Sequence, residues 1–218
     1  MQRNLREKIL KLEKEQAIEI ERNRIARDMH DDLGSGLTKI AILSEVTKAH
    51  IKNQQPATAN LDVISTASRE LVDSLQDIIW VLNPKNDSVE SLVLYLKEYA
   101  ESFFELTPVS LQFVYDYETG DTSLSEEKRR NIFLVVKECC NNILKHAGAT
   151  NVDIGINVQD GLLVIDIADN GKGFEAASIS RFSNGLQNMK NRVQQIGGEF
   201  NLTAVPEQGT RIKCQVPV

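Results

Sequence analysis

The first candidate for chemistry is a histidine, His30, in the segment ERNRIARDMHDDLGSGL, which spans residues 21–37. Asp31 can accept a hydrogen bond from one nitrogen of the His30 ring, which leaves the other nitrogen free to attack an electrophile. Gly34 and Gly36 each cost roughly 1 kcal/mol relative to alanine inside a helix, so another surface is expected to approach closely there. The alternative is a surface histidine in a coiled coil with incidental glycines, and this segment alone does not decide between the two.

The second candidate is a pair of polar residues in the segment KECCNNILKHA, which spans residues 137–147. Glu138 and Asn142 are four residues apart in a helical pattern, so their side chains share one helical face. The amide oxygen of Asn142 is a hard donor of the kind that Mg²⁺ prefers. Lys145 and His146 follow on the same segment and could reach a phosphate. Taken alone, Asn142 is better explained as an ordinary polar helix position.

The third candidate is a glycine-containing turn, DNGKGF, which spans residues 169–174 and follows the apolar run LLVIDIA. Gly171 and Gly173 would let the backbone approach a bound ring closely. Taken alone, this pattern could equally be a calcium-like turn or a plain hairpin. A further segment, NGLQNMKNR, opens a helical stretch at residues 184–192, where N-terminal amides could receive phosphates.

These segments, in this order, resemble the histidine kinases. The pattern ERxRIARDxHDxLGxxL resembles the phosphoacceptor helix of the kinases that pair with nitrate-response-type regulators, whose output domains are helix-turn-helix domains. The later segments resemble the N box and the two glycine boxes of the ATPase superfamily shared by gyrase, Hsp90-type chaperones, histidine kinases and mismatch-repair ATPases. The resemblance covers nearly the whole chain. No GxxxxGK[ST] pattern occurs, so this is not a P-loop protein.

The resemblance implies that ATP and Mg²⁺ are the cofactors and that His30 is the phosphorylation site, with Asp31 as its acid–base partner. It implies that Asp169 binds the adenine amino group and that Thr210, just before the last strand, supports this aspartate. In the ATPase relatives the residue that matches Glu138 activates water, whereas here Glu138 is expected only to orient the water shell of the metal. Asn142 is the expected Mg²⁺ ligand.

The remaining nucleotide-binding residues implied by the resemblance lie on the N box and the two glycine boxes: Lys145, His146, Gly171, Gly173, Gly185 and Leu186. About ten residues separate the two glycine boxes, which resembles the short ATP lid of this kinase class.

The elements that must position these residues fall into two predicted domains, 1–83 and 84–218. The first is predicted to be an α-helical hairpin with a turn at Gln54-Gln55-Pro56. Residues 59–82 place mostly apolar side chains three and four residues apart, which predicts packing in a coiled-coil-like bundle. The seam consists of Leu61, Ile64, Ser68, Leu71, Leu75, Ile78 and Leu82. A lone hairpin has too little core to be stable, so we expect a homodimer with a four-helix bundle.

The second domain is predicted to be an α+β two-layer sandwich with helices on one face of a sheet, as in the histidine kinase, gyrase and chaperone ATPases. The predicted helices are 92–104, 125–146 and 186–196. The predicted strands are 110–117, 152–158, 162–168, 200–205 and 210–216, the second and third joined in a hairpin at Gln159-Asp160-Gly161.

Composition limits the class of protein. The 218 residues are 41% hydrophobic and 26% charged, as in a soluble globular protein, and the net charge of −6 argues against nonspecific nucleic-acid binding. No apolar run approaches the ~20 residues that a membrane span needs. Three cysteines without metal-like spacing indicate reduced, buried thiols and a cytoplasmic location. The charged helical start resembles an entry into a longer helix, so a sensor or membrane segment is expected before it.

The predicted function is therefore that of a two-component sensor histidine kinase. His30 would be autophosphorylated from ATP, and the phosphoryl group would pass to an aspartate of a response regulator. Because no receiver domain is present in this sequence, the response regulator would act in trans. The alternatives are an ATPase of the same superfamily and a signalling scaffold that binds ATP without phosphotransfer.

Overall fold

The computed structural model describes residues 34, 36–53, 56–116, 122–175 and 184–218. The chain divides into two compact units, Met1–Leu82 and Asn83–Val218, which are described separately. His30, Asp31 and the predicted turn residues Gln54 and Gln55 lie outside the described residues.

The described part of the first unit is a pair of helices, α1 at residues 36–52 and α2 at Thr58–Leu82. A side chain from α2 occupies the space beside Gly36, where an added Cβ would lie 2.6 Å from Cδ2 of Leu71. His50 and Asn60 form a hydrogen bond of 3.3 Å near the other end of the pair. The close approach expected at the two glycines therefore occurs at Gly36, within the hairpin itself. Gly34 has no atom within 4 Å of an added Cβ.

The seam on α2 is not evenly buried within a single chain. Ala67 and Val81 are buried, whereas the seam residues Leu61 and Leu75 remain 52% and 40% exposed. On α1, Leu37 is 60% exposed. Apolar rows left open on a single hairpin are what a two-chain bundle needs for its core, and the dimeric bundle stays a prediction.

The second unit contains a five-stranded sheet with the order β1-β2-β3-β5-β4. β1 runs parallel to β2, and the other neighbouring pairs are antiparallel. The β2–β3 hairpin turns at Asp160 and Gly161, whose φ angles of 53° and 73° suit a tight two-residue turn. The strands are β1 at Ser110–Asp116, β2 at Asn151–Gln159, β3 at Leu162–Asp169, β4 at Glu199–Val205 and β5 at Gly209–Pro217.

The described residues of this unit form three α-helices, whose buried side chains share a core with the sheet. They are α3 at Val89–Phe104, α4 at Glu126–Asn142 and α5 at Asn184–Gln195. Serine hydroxyls cap two of them, because Ser88 accepts a hydrogen bond from the N–H of Ser91 and Ser125 accepts one from the N–H of Lys128. After α5, Gly197 takes a φ of +74°, which ends the helix.

The helix predicted to run to His146 changes geometry before its end. The α-helix stops at Asn142, and Ile143–Ala147 form one stretch of π-helix that ends at Gly148, where φ is +62°. Such π turns are rare and often lie at functional sites, because the wider turn displaces the following backbone. Periodicity in the sequence does not reveal this change, because the apolar spacing over one turn is nearly the same in both helices.

Candidate functional site

Asp169 is the last residue of β3 and pairs in register with Thr210 on β5. Its Oδ1 accepts a hydrogen bond of 2.8 Å from the N–H of Gly171. Burial raises the pKa of the Asp169 carboxyl group, and hydrogen bonds from Gly171 and from the N–H and hydroxyl of Thr210 partly oppose that rise. A carboxylate has about four acceptor positions, so this half-buried group keeps capacity for a ligand donor. The expected contact of Thr210 with Asp169 is present.

The glycines of the turn have a structural reason that the sequence analysis did not foresee. An added Cβ on Gly171 would lie 2.5 Å from the carbonyl oxygen of Ala147, at the end of the π-helix. Gly173 has a φ of +55°, and an added Cβ there would overlap the carbonyl oxygen of Val205. Both glycines therefore permit close packing of the turn against neighbouring protein backbone. Their expected contact with a bound ring stays a prediction.

Glu138 and Asn142 lie on one face of α4, as their spacing predicted. The amide nitrogen Nδ2 of Asn142 donates to Oε1 of Glu138 over 3.4 Å. Because the amide nitrogen of Asn142 faces the acceptor oxygen of Glu138, the amide oxygen of Asn142 faces away from it. That oxygen is therefore available to a cation. This orientation fits a Mg²⁺ ligand, because Mg²⁺ is bound by few protein oxygens and keeps several waters.

The start of α5 lies against the same carboxylate. An added Cβ on Gly185 would overlap Oε1 of Glu138, so a side chain at this position would push the Glu138 carboxylate aside. The structure thus brings Glu138, Asn142 and Gly185 together. Leu186 follows on α5 and is half-buried.

Lys145 and His146 lie on the π-helix with exposed side chains. Their expected role at phosphates stays a prediction, as does that of Leu186.

Two residues that the sequence analysis did not select also form part of the site. The side chain of Asn170 accepts hydrogen bonds from the N–H groups of Thr150 and Asn151, at the start of β2. The carbonyl of Ala147 accepts a hydrogen bond of 2.9 Å from the N–H of Lys172. A signal for Asn170 was present, because asparagine in a turn commonly bonds nearby backbone through its side chain. No comparable sequence signal exists for a backbone carbonyl such as that of Ala147.

The three cysteines are free and buried, as predicted. Burial raises the pKa of the Cys140 and Cys214 thiols to about 12 and raises the pKa of Cys139 well above its usual range. Thiols with such pKa values stay protonated, so none is a nucleophile at neutral pH. Cys139 instead lies 3.6 Å from the sulfur of Met189 and joins α4 to α5.

Among the described residues, no helix is long and apolar enough to cross a membrane. Within the same ranges, His, Cys, Asp and Glu side chains nowhere gather in groups of three that could hold a metal. A metal held mainly by a substrate and water, with one protein oxygen, remains compatible with this arrangement.

Two protein-family models match the chain. Residues 21–87 match a family described as histidine kinase, and residues 127–218 match the family of histidine kinase-, DNA gyrase B- and HSP90-like ATPases. The first match includes the segment around His30, and the second includes the site described above.

Curated relatives match nearly the whole chain. The sensor histidine kinase LiaS of Bacillus subtilis is 27% identical over 206 residues, which cover 94% of this chain and 56% of the relative. The sensor protein VraS of Staphylococcus aureus is 26% identical over 201 residues, which cover 92% of this chain and 56% of the relative. The chain therefore spans about half the length of the curated relatives it matches.

Solved structures share the fold. The histidine kinase domain of a blue-light activated kinase from Erythrobacter litoralis EL346 aligns with a TM-score of 0.53 and 17% identity, over 84% of this chain and 94% of that one. The histidine kinase AdeS of Acinetobacter baumannii aligns with a TM-score of 0.56 and 14% identity, over 83% and 95% of the two chains. These alignments and the two family matches together confirm the predicted fold class, a helical N-terminal region followed by a mixed α/β domain of the ATPase family.

Proposed function

Since the chain belongs to the histidine kinases, as its two regions and its relatives show, we propose that it is a protein-histidine kinase acting on itself. ATP is the phosphoryl donor and His30 is the acceptor. The phosphoryl group then passes to an aspartate on the receiver domain of a separate response regulator. Because the reaction consumes ATP, it takes place in the cytoplasm.

The observation that carries the proposal is the environment of the Asp169 carboxylate. It is half-buried at the end of β3, where N–H groups orient it and burial raises its pKa. A carboxylate in such a place is suited to accept a hydrogen bond from the amino group of a flat ligand. In this proposal the ligand is adenine, and its amino group donates to Asp169.

The phosphate end of the nucleotide is assigned to the end of α4 and the start of α5. Asn142 offers its amide oxygen to Mg²⁺, and Glu138, which orients that amide, also orders the water around the metal. When bound, Mg²⁺ would neutralise negative charge on the phosphates. Lys145 adds positive charge, and Lys145 and His146 both offer hydrogen-bond donors. The first amides of α5, at Gly185 and Leu186, favour an anion.

The chemical step is an in-line displacement at the γ-phosphorus. A ring nitrogen of His30 forms the new N–P bond while the bond to the ADP oxygen breaks, and ADP leaves with the electron pair. Asp31 accepts a hydrogen bond from the other ring nitrogen and so stabilises the positive ring that forms. Most of the rate comes from positioning and charge neutralisation.

The acceptor helix is proposed to act in a homodimer. Leu37, Leu61 and Leu75 are large apolar side chains that a single hairpin leaves exposed, and two hairpins packed as a four-helix bundle would cover them. This proposal is supported by the seam on α2.

Incubation of the purified chain with γ-labelled ATP and Mg²⁺ tests the proposal. We expect label on the protein that is lost in acid and kept in alkali, because phosphohistidine is acid-labile. Release of labelled phosphate without labelled protein would instead support an ATPase of the same superfamily. Nucleotide binding with neither product would support an ATP-binding scaffold.

A further inference from the structure

The turn that follows Asp169 is tied to the start of β2 by one side chain. Oδ1 of Asn170 accepts hydrogen bonds from the N–H groups of Thr150 and Asn151, both at 2.9 Å. Nδ2 of Asn170 donates to the hydroxyl of Thr150, also over 2.9 Å. The N–H of Asn170 donates to the carbonyl of Asn151 over 3.2 Å. We call this set of bonds the Asn170 clamp.

The other side of the turn is held by backbone alone. The N–H of Lys172 donates to the carbonyl of Ala147 over 2.9 Å, and the carbonyl of Lys172 accepts from the N–H of Glu207 over 2.7 Å. Both bonds are made by backbone atoms and do not depend on side-chain identity. Of these attachments, the Asn170 side-chain bonds are therefore the ones that truncation of a side chain removes.

Asn170 is adjacent to Asp169, so the clamp fixes the peptide from which the Asp169 side chain extends. The Asn170 amide forms these hydrogen bonds with Thr150 and Asn151, so it is bonded to protein partners. The residue thus influences a ligand through Asp169 and not by touching it. A shift of about 0.5 Å in the carboxylate is enough to weaken a hydrogen bond, because such bonds depend steeply on distance and angle.

We propose that Asn170 is a positioning residue for Asp169 and that it sets both the affinity for adenine and its preference over guanine. This inference rests on the proposed function. Adenine presents an amino donor at the position where guanine presents a carbonyl acceptor. A carboxylate held rigidly there attracts the first and repels the second, whereas a loosely held carboxylate discriminates less.

The test measures ATP and GTP binding by calorimetry in the full chain and its variants. The dependence of autophosphorylation on ATP concentration is measured in the same proteins. Asn170→Ala removes the acceptor for two N–H groups, so we expect the Kd for ATP to rise roughly tenfold. The Kd for GTP should change little. The kcat of autophosphorylation at saturating ATP should stay within about twofold of wild type. Asn170→Asp keeps an oxygen for both N–H groups, so it should restore ATP affinity to within about threefold. Asn157→Ala is the matched control, because Asn157 is an exposed asparagine on β2.

A purely structural role would lower the active fraction, which reduces kcat and leaves the KM for ATP and the ATP-to-GTP preference unchanged. That result, or equal weakening of ATP and GTP, would overturn the inference. If Asn170→Ala does not fold, Asn170→Ser serves in its place, because its shorter hydroxyl cannot reach both N–H groups. A folded Asn170→Ser with wild-type affinity and preference would likewise overturn it.

Asp169→Ala separates this inference from the proposed function. If Asp169→Ala loses nucleotide affinity while Asn170→Ala keeps it, the positioning role is wrong and the adenine assignment stands. If Asp169→Ala binds ATP as wild type does, the adenine assignment fails and the inference fails with it.

Discussion

The helical unit and the sheet unit bury their apolar residues in different ways. In the sheet unit, Phe133 and Val136 of α4 and strand residues such as Ile154 are almost fully buried within one chain. In the described part of the helical unit, Leu61 and Leu75 stay largely open to solvent. The sheet unit closes its core from its own residues, and the described helices of the other unit leave apolar side chains exposed.

This difference suits the two tasks proposed for the units. A nucleotide site needs groups fixed to within a fraction of an ångström, and the carboxylates of Asp169 and Glu138 are held by bonds inside one closed unit. A helix that carries a phosphoryl group must present its histidine first to ATP and then to another protein. Its stability can therefore depend on a second copy of the chain.

The largest expected effect is loss of the dimer when charge enters the open apolar rows. Leu61→Asp combined with Leu75→Asp would place unpaired carboxylates in the proposed bundle core, which costs several kcal/mol and should weaken dimerisation by about a thousandfold or more. Light scattering at micromolar concentration should then show a monomer in place of the wild-type dimer.

Leu106→Asp is the matched control, because Leu106 is a 96% exposed leucine in the sheet unit. This variant should remain dimeric. A wild-type protein that is already monomeric, or a double variant that remains a dimer, would show that the open rows are not the dimer interface.

The next effect concerns the metal. Asn142→Ala removes the amide oxygen assigned to Mg²⁺ and should lower phosphorylation by about 10- to 100-fold, the cost of one lost interaction with a charged group. Asn141→Ala is the control, because the Asn141 amide donates to the carbonyl of Lys137 along the helix. Titration of ADP with and without Mg²⁺ should show metal-dependent affinity in the control but not in Asn142→Ala. The same Mg²⁺ dependence in both variants would contradict the assignment.

Glycine substitutions should change the stability of the two units in opposite directions. Gly209→Ala would force a side chain onto a φ of +88° and against the carbonyl of Asp169, so we expect a loss of about 2–4 kcal/mol in unfolding free energy. Gly34→Ala lies in a helix with open space, so it should add up to about 1 kcal/mol. Urea unfolding measures both. A stabilised Gly209→Ala would mean that the packing beside Asp169 is looser than described.

The smallest effect is a pH dependence of stability at Asp169. Its folded pKa lies above the ordinary value of 3.8, so the folded state disfavours the charged form. The destabilisation of the folded state by the Asp169 charge is absent below pH 3.8. It grows as the pH rises, until the pH has passed the folded pKa of Asp169. Asp169→Asn should therefore gain thermal stability relative to wild type as the pH rises from 3.5 to 7, without nucleotide. A difference in melting temperature that shrinks over that range would contradict the raised pKa.

Much of this architecture could be predicted from local patterns. The helical hairpin, the five strands and the β2–β3 turn at Asp160 and Gly161 follow from periodicity and turn chemistry. The shared face of Glu138 and Asn142 follows from a spacing of four. The strand order and the parallel β1–β2 pair could not be predicted, because they depend on contacts between residues far apart in sequence.

The structure differs from the sequence predictions chiefly where backbone atoms pack against other backbone atoms. The change from α-helix to π-helix at Ile143 leaves no mark in the apolar spacing. The need for Gly171 comes from the carbonyl of Ala147, which exists whatever residue stands there. Asn170 was visible as a turn residue, but its partners Thr150 and Asn151 become its neighbours only through the β2–β3 hairpin.

The central claim is that His30 in one unit accepts a phosphoryl group from ATP held by the other. The most direct measurement is labelling of His30→Gln with γ-labelled ATP, with ATP affinity determined on the same sample. His50→Gln is the control, because His50 lies in the same unit beside Asn60. We predict no label on His30→Gln with wild-type ATP affinity, and normal labelling of His50→Gln. Label retained on His30→Gln, or loss of its ATP affinity, would contradict the account.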